Sequence, residues 1–132
     1  MLPENNHSGS PESWLQYANS DLELACVSKP QNVLFETLCF HAQQAAEKAV
    51  KALLIAKEIT FPKTHSIRML LDLLPPEIEQ PLEVQESAIL TDYAVISRYP
   101  GDLEAIDEEE YQRAVNLAKS VVEWAESYIQ NR

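Results

Sequence analysis

The sequence predicts an all-α fold, an antiparallel up-and-down bundle of four to five helices, and three observations carry that reading. Only two of the 132 residues are glycine, no alternating run of apolar and polar residues is bounded by turn residues, and apolar side chains recur at helical spacing over long stretches. With 45% hydrophobic residues, a chain of this length buries roughly two thirds of its unfolded surface, so one core forms without a disulfide or metal staple. Residues 1–9 read as a flexible tail and residues 10–132 as a single helical domain.

Ser10 followed by Pro11 supplies an N-cap with proline at the first helical position, so the first helix starts there and runs to about Ser28, before Pro30. Trp14, Leu15, Ala18, Leu22 and Ala25 form its inner side. Asp21 interrupts the apolar face between Tyr17 and Leu24, placed to pair with a cation inside the bundle. The second helix, about Gln31 to Glu58, carries Leu34, Leu38, Ala42, Ala45, Ala49, Leu53 and Ala56 in a stripe beginning about 20° from His41 and about 100° wide. Beside it, His41, Gln44, Lys48 and Lys51 lie within about 80° of one another.

Phe61-Pro62 breaks the chain, and Thr64 caps a short third helix with Ile67, Leu70, Leu71 and Leu74, closed by Pro75-Pro76. A fourth helix follows Pro81 and runs to about Arg98, with Leu82, Ile89, Tyr93 and Ile96 facing the core; Pro100 pushes Tyr99 out of helical geometry. Asp107 caps the last helix, and Glu108, Glu109 and Glu110 occupy its first turn, where the helix dipole favours negative charge. Its apolar arc holds Tyr111, Ala114, Val115, Ala118, Val121, Val122, Ala125 and Ile129, widened by Leu117, Trp124 and Tyr128. That width suits two helical neighbours, or one helix and a second subunit.

The formal charge of −11 opposes non-specific binding to DNA or RNA phosphates. The charge is uneven. Over residues 41–68, Lys48, Lys51, Lys57, Lys63 and Arg68 stand against only Glu47 and Glu58, a locally basic strip able to hold one phosphate-bearing ligand or a short RNA. No window of about 18 residues is free of charge and the N-terminus has neither a basic start nor an apolar stretch, so the expectation is a cytoplasmic protein with no membrane span. Cys26 and Cys39 have no paired spacing and read as buried, reduced thiols.

Phosphate loops, nucleophile elbows and metal-ligand clusters are all missing, so neither a metal nor a cofactor is expected. Of the three histidines, His7 falls in the tail, which leaves His41 and His65 as candidate acids or bases near neutral pH. Arg98 closes the fourth helix, and the sharp exit through Tyr99, Pro100 and Gly101 would hold its guanidinium in one place, suited to bidentate phosphate binding.

The string Phe40-His41-Ala42-Gln43-Gln44-Ala45-Ala46-Glu47-Lys48-Ala49-Val50-Lys51-Ala52-Leu53-Leu54 resembles the HEPN (higher eukaryote and prokaryote nucleotide-binding) family. Further matches follow in Asp21-Leu22 with Ala25, in Thr64-His65 before Leu70-Leu71, and in Tyr93 with Ser97-Arg98-Tyr99-Pro100, covering about residues 12–130. The resemblance implies a dimeric helical bundle, encoded in prokaryotes beside a minimal nucleotidyltransferase in toxin–antitoxin pairs, with a partner tyrosine such as Tyr93 or Tyr99 open to nucleotidylation. It also implies, for some members, metal-independent ribonuclease activity built on an Arg with a His a short step downstream. From Arg98 that step falls on Leu103, Glu104 and Ala105, and neither Arg68 nor Arg113 has any His after it.

Metal-free RNA cleavage needs a base, an acid and a cation at the phosphate, and only the cation, Arg98, stands where the motif puts it. The reading is therefore a binding and interaction protein, a homodimer that engages a minimal nucleotidyltransferase and holds a nucleotide or phosphate at His41, Gln44, Lys48, Lys51 and Arg98. Two alternatives stand beside it: a ribonuclease toxin of atypical site, using Arg98 with His41 or His65, and an inert structural dimer or adaptor.

Overall fold

The computed structural model describes residues 9–94 and 105–131, and their regular structure is entirely helical, with no strand among them. The fold is all-α. Helix α1 spans Pro11–Ala25, α2 Phe35–Ala56, α3 Ile67–Asp72 and α4 Leu82–Glu86, which leads directly into a 3-10 helix, Ser87–Ala94; α5 spans Glu108–Gln130. Ile96, Arg98, Tyr99, Pro100 and Gly101, together with His7, lie outside the described residues.

Direction follows from the long-range hydrogen bonds. Tyr111 Oη donates to the Ala25 carbonyl, and the Ile106 amide donates to Glu36 Oε2 at 3.2 Å, so the start of α5 meets the end of α1 and the start of α2. Trp124 Nε1 donates to the Glu79 carbonyl at 2.8 Å and Tyr128 Oη accepts from the Glu79 amide at 3.2 Å, while Tyr93 Oη donates to Glu110. The α4 and 3-10 segment thus runs from the end of α5 back to its beginning. The chain goes up, down, up and down, with α2 and α5 parallel to each other.

Most of α2 is buried. Residues from Ala52 round to Glu47 cover about 220° of its circumference at 100° per residue, including Ala42, Ala45, Ala49, Val50, Leu53 and Leu54 at 0% exposure. Alanines at the contact let α1 and α5 approach closely, and these are the neighbours on which α2 rests most heavily. The expected stripe about 100° wide was too narrow, because α2 is a central helix with neighbours on three sides rather than one.

Ser10 caps α1, its hydroxyl accepting from the Ser13 amide at 3.0 Å, and Asp107 Oδ1 caps α5, accepting from Glu110 N at 2.8 Å, both as expected. The α5 arc is buried as expected too, but against α1, α2, α4 and the 3-10 helix of the same chain, which leaves no broad apolar face among its described residues for a second subunit.

Other expectations are corrected. Helix α1 ends at Ala25, not about Ser28, because the Cys26 amide is shared between the Leu22 and Glu23 carbonyls, the Val27 amide turns to the i−3 carbonyl of Leu24, and Tyr111 takes the Ala25 carbonyl. Cys26 therefore lies past the helix end and is exposed, while Cys39 is buried, and neither is in a disulfide. Residues 31–34 form a turn instead of the start of α2, so Leu34 is an exposed N-cap residue rather than part of the core stripe. Ser66, not Thr64, caps α3 by accepting from the Met69 amide at 3.2 Å; Thr64 Oγ1 accepts from the Ser66 amide at 3.0 Å one step earlier.

The fourth helix differs most. It is α-helical for five residues only and then tightens to 3-10 geometry, which rotates successive side chains by about 120° instead of 100°. Val84, Ser87 and Leu90 point inward, whereas Leu82 and Ile89, expected in the core, are exposed.

Candidate functional site

Two carboxylates organise the polar side of α2. Asp21, in the middle of α1, places Oδ1 3.0 Å from His41 Nδ1 and Oδ2 2.6 Å from Lys48 Nζ. His41 and Lys48 are seven residues apart, two helical turns, and therefore stand on one face of α2 toward α1. Tyr17 and Leu24 are both exposed, so Asp21 does not interrupt an apolar face; it sits at the edge of the α1–α2 seam with its side chain only 15% exposed.

Glu47 is the second anchor. Its side chain is 5% exposed, and it accepts from Gln43 Nε2 at 2.6 Å and Lys51 Nζ at 2.8 Å, with His65 Nδ1 2.9 Å away. Gln43, itself fully buried, accepts in turn from Gln44 Nε2 at 2.7 Å. Such burial of a charge is tolerable only with this many donors around it. Lys51 also stands 5.6 Å from the centre of the Phe61 ring, so its ammonium has moved in from the solvent.

The sequence strip is thus two charge-balanced clusters on successive turns of α2: Asp21 with His41 and Lys48, Glu47 with Lys51 and His65. His41, Gln44, Lys48 and Lys51 do line one side of the helix; Arg98, the fifth member, lies outside the described residues. Sequence reasoning passed over Glu47 and Gln43. The signal was the i, i+4 spacing of Gln43, Glu47 and Lys51, which places one acceptor between two donors on one helix face.

The two clusters share a chemical consequence. An ionised carboxylate only accepts, so each histidine donates from Nδ1. His41 has a quarter of its side chain exposed and His65 about two thirds (25% and 65%). Beside the first cluster a groove of about 260 Å³ is lined by Gln16, Tyr17, Ser20, Asp21 and Lys48. Its wall holds an amide, a hydroxyl, an ammonium and an aromatic ring, Tyr17, that is 62% exposed.

Comparison with known proteins agrees with this architecture. No curated protein matches the chain. Among solved structures, TT1696 from Thermus thermophilus is 31% identical with a TM-score of 0.72, over 89% of this chain and 96% of that one. An archaeal HEPN homologue, ST0689, is 30% identical with a TM-score of 0.71, over 92% of this chain and 98% of its own. No helix among the described residues is long and apolar enough to cross a membrane. With the profile of the HEPN domain matching residues 11–128, nearly the whole helical bundle, the chain belongs to the HEPN family.

Proposed function

We propose that this HEPN protein is a binding and interaction module that accepts a nucleotide or other phosphate-bearing ligand at the α1–α2 groove and works in the cytoplasm as the homodimeric partner of a minimal nucleotidyltransferase, in a toxin–antitoxin type of pair. The observation that carries it is Lys48 at the groove wall. Its ammonium spends one donor on Asp21 and has two more to offer a phosphate, while exposed Tyr17 supplies a face on which a base can stack. His41, Gln44, Lys51 and Arg98 complete the proposed contact set.

Because Asp21 and Glu47 neutralise the neighbouring cations, affinity at such a site is modest and salt-dependent. Calorimetric titration of the chain with mononucleotides tests the reading, with Lys48→Ala expected to weaken binding about tenfold, the loss of one charge-assisted hydrogen bond. Absence of heat for every nucleotide, together with no complex on co-expression with the adjacent gene product, overturns it.

A ribonuclease of atypical site is the second reading, favoured by two partly exposed histidines that each hold Nδ1 against a carboxylate. It predicts RNA cleavage in EDTA that is lost in His41→Ala, His65→Ala or Arg98→Ala. Intact RNA after incubation with partner-free protein removes it and leaves the binding module.

A further inference from the structure

We propose that the face built from α4, the 3-10 helix and the first turns of α5 is a docking surface for a basic segment of another protein, one that presents an apolar side chain next to Arg or Lys. Leu82 is 64% exposed and Ile89 43% exposed, while Val84, Ser87 and Leu90 of the same segment are buried. The helix therefore spends its inward side on the core and keeps two large aliphatic groups outside it. Residues 77–92 contain Glu77, Glu79, Glu83, Glu86 and Asp92 and no Lys, Arg or His, five carboxylates against the guanidinium of Arg68, which donates to the Gln85 carbonyl from α3.

Next to Ile89 a cleft of about 240 Å³ opens between the 3-10 helix and α5. Ile89, Leu90 and Ala114 form its apolar floor, and Asp92, Tyr93, Glu110 and Arg113 its rim. Tyr93 Oη donates to Glu110, fixing that carboxylate at the rim. An aliphatic stem ending in a cation matches this arrangement: the stem covers the apolar floor and the charge meets Asp92 and Glu110, which among the described lining residues outnumber the guanidinium of Arg113.

Charge decides among occupants. Two copies related by a two-fold axis would set the five carboxylates of residues 77–92 against themselves, and an anionic ligand would meet the same field. A basic partner gains from it, and the gain appears as a fast, salt-sensitive association.

The test uses the full chain labelled with ¹⁵N and two peptides that share leucines at helical spacing, one with arginine and the other with glutamate at the remaining positions. Binding of the arginine peptide is expected to shift the amides of residues 82–92 and 110–114, to weaken as salt rises, and to fall at least tenfold in Ile89→Ser and in Asp92→Lys. Both residues are exposed, and retained melting temperatures confirm that the variants fold. Asp92→Asn is expected to give an intermediate loss. Equal shifts from both peptides, shifts spread evenly over every acidic surface, or concentration-dependent shifts of the same amides without any peptide, which would mark a contact between copies, each overturn the proposal.

Discussion

Asp21 Oδ2 accepts a hydrogen bond from Lys48 Nζ at 2.6 Å across 27 positions of sequence, joining the middle of α1 to the polar edge of α2. The same carboxylate holds His41. It steers both donors and also competes with any anion for them. Asp21→Asn is therefore expected to act in two directions: unfolding in urea shows a loss of about 1–2 kcal/mol, as a charge-assisted bond weakens, while the affinity for a mononucleotide rises several-fold because Lys48 no longer faces its own counter-ion. A variant that loses affinity along with stability would show that Asp21 touches the ligand itself.

Glu47 and Lys51 form a pair in which both side chains are largely withdrawn from water, 5% and 12% exposed. Removing one partner strands the other charge, so Lys51→Met is expected to cost about 3 kcal/mol. Replacing both, Glu47→Leu with Lys51→Met, removes the stranded charge but leaves the buried Gln43 amide without its acceptor, so it is expected to recover only part of that loss. Urea unfolding of the two singles and the double closes the cycle; strict additivity would mean the pair is not coupled.

The contrast between Asp21 and Glu47 explains how much of this site was legible in the sequence. Asp21 drew notice because an acid amid apolar spacing on α1 needs a partner, and the helix wheel already placed His41 and Lys48 on one face. Glu47 entered the sequence reading only as one of two negative charges in the basic strip, because periodicity alone cannot tell that a third neighbour, the segment around His65, stands at that side of α2. The same blindness to neighbours made the core stripe of α2 too narrow. Caps at Ser10 and Asp107 were readable because they are local chemistry. The 3-10 geometry of Ser87–Ala94 was not, since a change from 100° to about 120° per residue leaves no mark in an apolar pattern only eight residues long.

Glu58 holds φ at 58°, the left-handed value, directly after the last turn of α2. The Ile59 amide donates to the Leu54 carbonyl and the Glu58 amide to the Ile55 carbonyl, both at 2.9 Å, which is the hydrogen-bond pattern of a Schellman cap. Glycine is the residue that takes this conformation without a steric cost. Glu58→Gly is expected to raise stability by about 0.5–1 kcal/mol, since the Glu58 side chain is exposed and nothing but backbone preference changes. A lower melting temperature would show that the side chain, not the backbone, matters there.

Tyr111 on α5 donates its hydroxyl to the Ala25 carbonyl, one of the orphan acceptors at the end of α1. Its side chain is buried, and the hydroxyl pKa stands above the ordinary 10.0, first through burial and then through the Cys26 and Cys39 thiols and the Glu108 carboxylate, which oppose a second negative charge. Tyr111→Phe leaves that carbonyl buried without its donor and is expected to cost about 1–2 kcal/mol at neutral pH. The sign of the pH effect follows from the raised value: the folded state keeps the proton that the unfolded state releases, so this contribution is complete below pH 10.0 and drains away as pH climbs through the folded-state pKa. Urea unfolding of both proteins at neutral pH and above pH 10.0 is therefore expected to show the gap between them closing as the solution becomes alkaline. A gap that stays constant across that window would mean that the hydroxyl ionises equally in the folded and unfolded chains and that its bond to Ala25 adds nothing beyond packing.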